Sequence, residues 1–127
     1  MTLQAIDHVL AAIPAGGEEQ ARACYGALLG LPETPKRTDI GPRGGCWFAT
    51  GAIRLHLGAD TPFIPARKAH ITFRVDDVGA LTSRARAAGY TVVDNKALPC
   101  RERVFIFDPF GKRLEFLKPL SGESENS

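Results

Sequence analysis

The segment AHITFRVDDVGALTSRARAAG, residues 69–89, carries one strand signal followed at once by one helix signal. Ala69 to Val75 is rich in β-branched and aromatic side chains, which suit a pleated, half-buried surface. Asp76 and Asp77 follow, and the short carboxylate of either can accept from the free N–H groups of a helical first turn. Val78, Leu81, Ala85 and Ala88 then recur at helical spacing, and Gly89 supplies the stop. Strand candidates follow at about 91–95, 103–107 and 112–118, so the second half of the chain reads βαβββ.

The same order of elements lies upstream. QAIDHVLAAI, residues 4–13, reads as a strand ended by Pro14 and a Gly16-Gly17 turn. From Glu18 onward Ala21, Cys24, Tyr25, Leu28 and Leu29 mark one helix face, with Glu18 and Glu19 in the favourable first turn and Gly30 at the end. Further strand candidates fall at about 33–39, 45–50 and 53–58, separated by turns that include Gly41-Pro42 and Gly44-Gly45. Gly30 and Gly89 stand 59 residues apart, and Arg54-Leu55-His56 repeats at that offset as Arg113-Leu114-Glu115. His8 and His70 are 62 apart, which one loop of different length accommodates. The expected fold class is α+β, with modules at residues 4–58 and 68–118 inside one domain of residues 1–120. SGESENS, residues 121–127, has the small, polar, aperiodic composition of a disordered tail.

Composition sets the class of partner. The 127 residues carry a net charge of +2 that is spread evenly, which argues against nucleic acid and against an anionic membrane surface. The longest apolar stretches fall far short of the roughly 18 residues a membrane span needs, and the N-terminus lacks a basic flank before an apolar core. A soluble, cytoplasmic protein is expected. Cys24, Cys46 and Cys100 form no CxxC pair and fit reduced thiols, with Cys24 on the core face of a helix and Cys100 in a loop.

The histidines do not fit a plain core. His8, His56 and His70 all fall in strand candidates among apolar neighbours, where an imidazole needs partners. Under the repeat His8 matches His70 and His56 matches Glu115, so four metal-competent side chains occupy two equivalent positions. Residues two apart on a strand share a face, which groups His8 with Leu10, Arg54 with His56, His70 with Thr72, and Arg113 with Glu115. If those faces meet, imidazole nitrogens and a carboxylate converge as a facial set for a divalent first-row metal that leaves positions open for substrate. His56 is then a fourth ligand or a substrate-facing base. Trp47, Phe48, Phe105 and Phe107 are candidate pocket walls, with core as the default for each. Arg54, Arg67, Lys68 and Arg103 are candidate anion contacts. Among these Trp47, Phe105 and Arg54 are the expected substrate contacts.

IDHVLAAI (6–13), EEQARACYGALLGL (18–31), AHITFRV (69–75) and above all FDPFGKRLEFL (107–117) resemble the vicinal oxygen chelate superfamily of glyoxalases, bleomycin-resistance proteins and dioxygenases. The last stretch is similar to the family's frequent Asp-Pro-X-Gly-X-X-X-Glu ending. The resemblance implies paired βαβββ modules forming an open, U-shaped mixed sheet around a metal, and a homodimer. It places metal ligands at His8, His70 and Glu115, and maps the fourth-strand ligand onto His56, with Arg54 there if the register slips by two. It implies a divalent ion, Zn, Ni, Co, Mn or Fe, and lyase, isomerase or thiol-transfer chemistry in which Glu115 or His56 moves protons. The alternative it offers is a metal-free, antibiotic-binding resistance protein with an aromatic-lined groove.

Overall fold

The computed structural model describes residues 1–35, 44–94 and 101–119. The chain divides into two compact units, residues 1–64 and 65–127. In the first unit β1 (Val9–Pro14) is followed by α1 (Glu18–Ala21), which runs on as a π-helical segment (Arg22–Leu28), and then by β2 (Glu33–Thr34), β3 (Cys46–Thr50) and β4 (Ile53–Asp60). In the second, β5 (Ile71–Arg74) and α2 (Val78–Ala87) precede β6 (Val92–Asp94), β7 (Arg101–Phe107) and β8 (Arg113–Pro119). Each unit is a four-stranded mixed sheet, ordered β1-β4-β3-β2 in one and β5-β8-β7-β6 in the other. The α+β reading of two tandem βαβββ modules holds.

The register shows how deep the repeat runs. Strand β1 pairs parallel with β4, setting Leu10 against His56, while antiparallel β3 sets Trp47 against the same His56. Strand β5 likewise pairs parallel with β8, setting Thr72 against Glu115, with Phe105 of β7 on the other side. His56 and Glu115 therefore occupy one position of the fold, as do Trp47 and Phe105.

The alternating residues on the opposite face of each sheet form the cores. Leu55, Leu57, Phe48 and Ile13 are buried in the first unit with Ala21, Cys24, Tyr25 and Leu28 of the helical segment. Val104, Ile106, Leu114 and Phe116 are buried in the second, as are Val78, Leu81 and Ala85 of α2. The side chain of Asp77 caps α2 by accepting from the Ala80 N–H at 2.9 Å. The apolar face expected from Glu18 onward is present, but its backbone winds as a π-helix after Ala21, with Leu29 N–H donating to Cys24 O at 3.0 Å. Gly26 in that segment has no Cβ, and the Phe48 ring comes to 3.6 Å of where one would stand.

Two strands are shorter than their sequence suggests. The ladder between β1 and β4 opens at Val9 opposite Leu55, two residues into β4, so residues 4–8 have no strand partner among the described residues of their unit. His8 accordingly stands immediately before β1, and His70 immediately before β5, whereas His56 alone lies inside a strand. The Gly41-Pro42 turn, the outer parts of the 33–39 and 91–95 strand candidates, Cys100 and the 121–127 tail lie outside the described residues. Among the described residues no helix is long and apolar enough to cross a membrane.

Candidate functional site

In the second unit the polar face gathers around Glu115. Its side chain is only 10% exposed, yet three groups serve it. Thr72 Oγ1 donates to Oε1 at 2.7 Å, and His70 Nε2 stands 3.2 Å from the same oxygen. Arg103 Nε lies 2.9 Å from Oε2, off the line of its N–H, so charge and not a hydrogen bond holds that pair. Burial alone would push the Glu115 carboxyl up, but the Thr72 and His70 contacts and the Arg103 charge more than offset it and hold the carboxyl below its ordinary 4.5. Glu115 is a carboxylate at neutral pH.

The tautomer of His70 follows from its other nitrogen. His70 Nδ1 is 2.8 Å from the Lys68 carbonyl, which can only accept, so Nδ1 carries a proton. In the imidazolium form Nε2–H donates to Glu115. In the neutral form a nitrogen lone pair and a carboxylate oxygen face one another, an arrangement that a cation relieves. Arg113 reaches the same carbonyl at 3.2 Å and lays its guanidinium 4.8 Å from the centre of the Phe105 ring, whose edge-on neighbour is the His70 ring.

In the first unit three rings stack. His8, from the β1 side, lies over His56 at 4.1 Å and 18°, and Trp47, from the β3 side, lies over it at 3.8 Å and 2°. Only the edge of the His56 ring is left to bond. Burial between these rings, with His8 adding to the effect and Asp7 opposing it, holds His56 below its ordinary 6.5, which favours the neutral imidazole. Asp7 links the remaining pieces, with Oδ2 3.0 Å from His8 Nδ1 and Oδ1 accepting from Arg54 at 3.1 Å. A carboxylate at Nδ1 leaves Nε2 of a neutral His8 as its free lone pair.

The His56 environment makes a prediction. By NMR titration His56 is expected to titrate below 6.5, and Trp47→Ala, which uncovers one ring face, is expected to move it up toward that value. The unfolded chain then binds the proton more readily than the folded one. The corresponding stability is full above about pH 6.5 and declines as pH falls through the lower folded value. An unmoved titration in Trp47→Ala would remove the stack as the cause.

Of the residues singled out from sequence, His70, Glu115 and Phe105 come together in the second unit, and His8, His56 and Trp47 in the first. Arg54 donates through Nη1 to Asp7 and is otherwise exposed. Phe48 is core, 1% exposed. Sequence reading did not assign Thr72, Asp7 or Arg113 to a site. Strand periodicity carried the signal for two of them, since Thr72 shares a face with His70 and Arg113 with Glu115. Among the described residues no group of three or more His, Cys, Asp or Glu side chains is gathered for a metal. The donor pair His70 and Glu115 does fit a divalent ion in type, one imidazole nitrogen and one carboxylate oxygen, with the outer nitrogen of the imidazole anchored on a carbonyl.

Comparison with known proteins follows the same lines. The profile of the Glyoxalase/Bleomycin resistance protein/Dioxygenase superfamily matches residues 5–116. The crystal structure of a protein from Bacillus anthracis, described as of the glyoxalase family, is similar with a TM-score of 0.87 and 40% identity, covering 94% of this chain and 98% of that one. TnmS3, an antibiotic-binding protein from Streptomyces sp. CB03234, is similar with a TM-score of 0.70 and 25% identity over 92% of this chain and 99% of its own. The fosfomycin resistance protein FosX of Listeria monocytogenes shares the fold, with a TM-score of 0.78 at 11% identity over 94% of this chain and 97% of its own. A search of curated proteins finds no match. With a family profile over residues 5–116 and a 40% identical relative along nearly its whole length, the protein belongs to the Glyoxalase/Bleomycin resistance protein/Dioxygenase superfamily.

Proposed function

We propose that the protein is a metal-dependent enzyme of the glyoxalase type, acting by lyase, isomerase or thiol-transfer chemistry on a small substrate that meets a divalent ion through oxygen. The observation that carries this reading is the His70–Glu115 pair, 3.2 Å apart, with the other nitrogen of His70 committed to the Lys68 carbonyl. When bound, such an ion supplies positive charge that polarises a substrate oxygen and stabilises negative charge developing on it. Zn, Ni, Co, Mn and Fe all suit the donor types.

The chain's own residues then divide the remaining work. Lys68 O fixes the His70 tautomer, Thr72 orients the carboxylate of Glu115, and Thr72, His70 and Arg103 together keep it ionised. His8, oriented by Asp7, is a further ligand on the family pattern. His56, held neutral and open only at its edge, is a base or a ligand. Trp47, Phe105 and Arg54 contact substrate.

Elemental analysis of the purified chain tests this reading. About one divalent ion per chain is expected in the parent, lost in His70→Ala and Glu115→Ala and reduced in His8→Ala. Failure of the parent to bind any such ion after reconstitution would sink it. In His56→Ala, metal retained with activity lost identifies a base, and metal lost identifies a ligand. The second reading, a metal-free small-molecule binder, is favoured by the Trp47–His56–His8 stack and by the likeness to the antibiotic-binding TnmS3. It replaces the first if the parent binds flat aromatic ligands and no ion.

A further inference from the structure

The second unit carries more positive charge beside Glu115 than that carboxylate neutralises. Arg103 and Arg113 both lie over the Phe105 ring, their guanidinium carbons 5.7 and 4.8 Å from its centre. Arg103 sits on β7 two residues before Phe105, and Arg113 on β8 two residues before Glu115, so all four side chains belong to one face. Glu115 supplies a single negative charge against the two.

The hydrogen-bonding capacity is also unspent. The Nε atoms of both arginines are buried without a hydrogen-bond acceptor among the described residues. Arg113 donates through NH2 to the Lys68 carbonyl at 3.2 Å. Arg103, whose side chain is only 18% exposed, meets Glu115 through charge at 2.9 Å. A guanidinium presents planar, paired N–H donors, and its natural complement is an oxyanion held in bidentate fashion. The Phe105 ring supports both guanidinium planes, which lowers the cost of keeping them extended and close together.

We propose that Arg103 and Arg113 form a clamp for an oxyanion group, a carboxylate or phosphate, on the substrate, next to the His70–Glu115 pair. The inference rests on the enzyme reading above for the word substrate, and on the arginines alone for the anion. It names the substrate class as a small acid with one oxyanion for the clamp and a separate oxygen for the ion. Arg103 has a second duty in this scheme, since binding of the anion competes with Glu115 for its charge.

Calorimetric titration of the 127-residue chain with inorganic phosphate, with acetate and with neutral acetamide tests the clamp, using protein stripped of metal by a chelator and protein reloaded with zinc. Phosphate and acetate are expected to bind the stripped chain, and acetamide is not. Arg103→Gln and Arg113→Gln are each expected to weaken phosphate binding by about tenfold or more, and Arg103→Lys and Arg113→Lys to recover part of the loss. Circular dichroism confirms that each variant is folded, and the lysine variants carry the test where a glutamine variant is not. Phosphate binding only after zinc is added, or binding indifferent to all four substitutions, overturns the clamp. The two readings fail separately: phosphate bound by a chain that takes no divalent ion keeps the clamp and removes the metalloenzyme, and an ion bound without phosphate does the reverse.

Discussion

Glu115→Ala is expected to destabilise the chain by about 3 kcal/mol, the lower end of the range for breaking a buried ion pair. The loss has identifiable parts. Arg103, 18% exposed, is left with an uncompensated charge beside the Phe105 ring, and Thr72 and His70 lose the acceptor that both address. Removal of the carboxyl stem also leaves a void at a position 7% exposed. Glu115→Gln keeps the shape and an oxygen for Thr72, so it is expected to lose about half as much. Urea unfolding followed by far-ultraviolet circular dichroism, which reports both units, measures both. The pH dependence has a definite sign. Because the folded carboxyl lies below 4.5, its contribution is full above about pH 4.5 and fades as pH falls through the lowered folded value, and this acid limb should vanish in Glu115→Gln. Wild-type stability in Glu115→Ala would show that the carboxylate is not the hub of this face.

Gly45→Ala is the second large effect, again about 3 kcal/mol, with a fall in melting temperature of about 10 °C. Gly45 has φ +95°, a conformation that side-chain-bearing residues rarely adopt, and a Cβ built there collides with the Leu57 carbonyl of β4. Both obstacles are backbone, so no side chain can swing aside. The Gly45 N–H also donates to Glu18 Oε2 at 2.7 Å, tying the start of β3 to the start of α1. Gly51 provides the control. It also has positive φ, at +54°, but nothing lies within 4 Å of an added Cβ, so Gly51→Ala is expected to cost only about 1 kcal/mol. Because Trp47 stands two residues after Gly45, Gly45→Ala should also disturb the stack on His56, visible as a shift in Trp47 emission. Equal stability of the two alanine variants would remove the backbone collision as the cause.

Much of this protein is legible in the order of its residues because the relevant signals are local. The capping Asp77 before Val78, the helical spacing of Ala21, Cys24, Tyr25 and Leu28, and the glycines at 30 and 89 act within a few residues. The repeat then turns local signals into a topology, and strand periodicity puts His70 with Thr72 and Arg113 with Glu115 before any coordinates are known. The π winding after Ala21 was not legible, since the spacing of Ala21, Cys24, Tyr25 and Leu28 is that of an ordinary helix face. Strand ends were not legible either, because Val9 and Ile71 begin strands where pairing across the sheet opens, opposite Leu55 and Leu114, and such pairing is not local.

The site divides in the same way. Sequence by itself determined which side chains stand at the key register positions, His56 and Glu115 among them, because the period of a strand and the offset of a repeat are properties of the chain alone. Only the tertiary structure decided what each position experiences. His56 is clasped between Trp47 and His8 and held neutral, whereas Glu115, at the equivalent place, is surrounded by donors and held ionised. Those differences arise from side chains far apart in sequence, Thr72, His70 and Arg103 around Glu115 against Trp47 and His8 around His56, whose distances no periodicity encodes. A charge or a lone pair takes its chemistry from such neighbours, and folding alone brings them within reach.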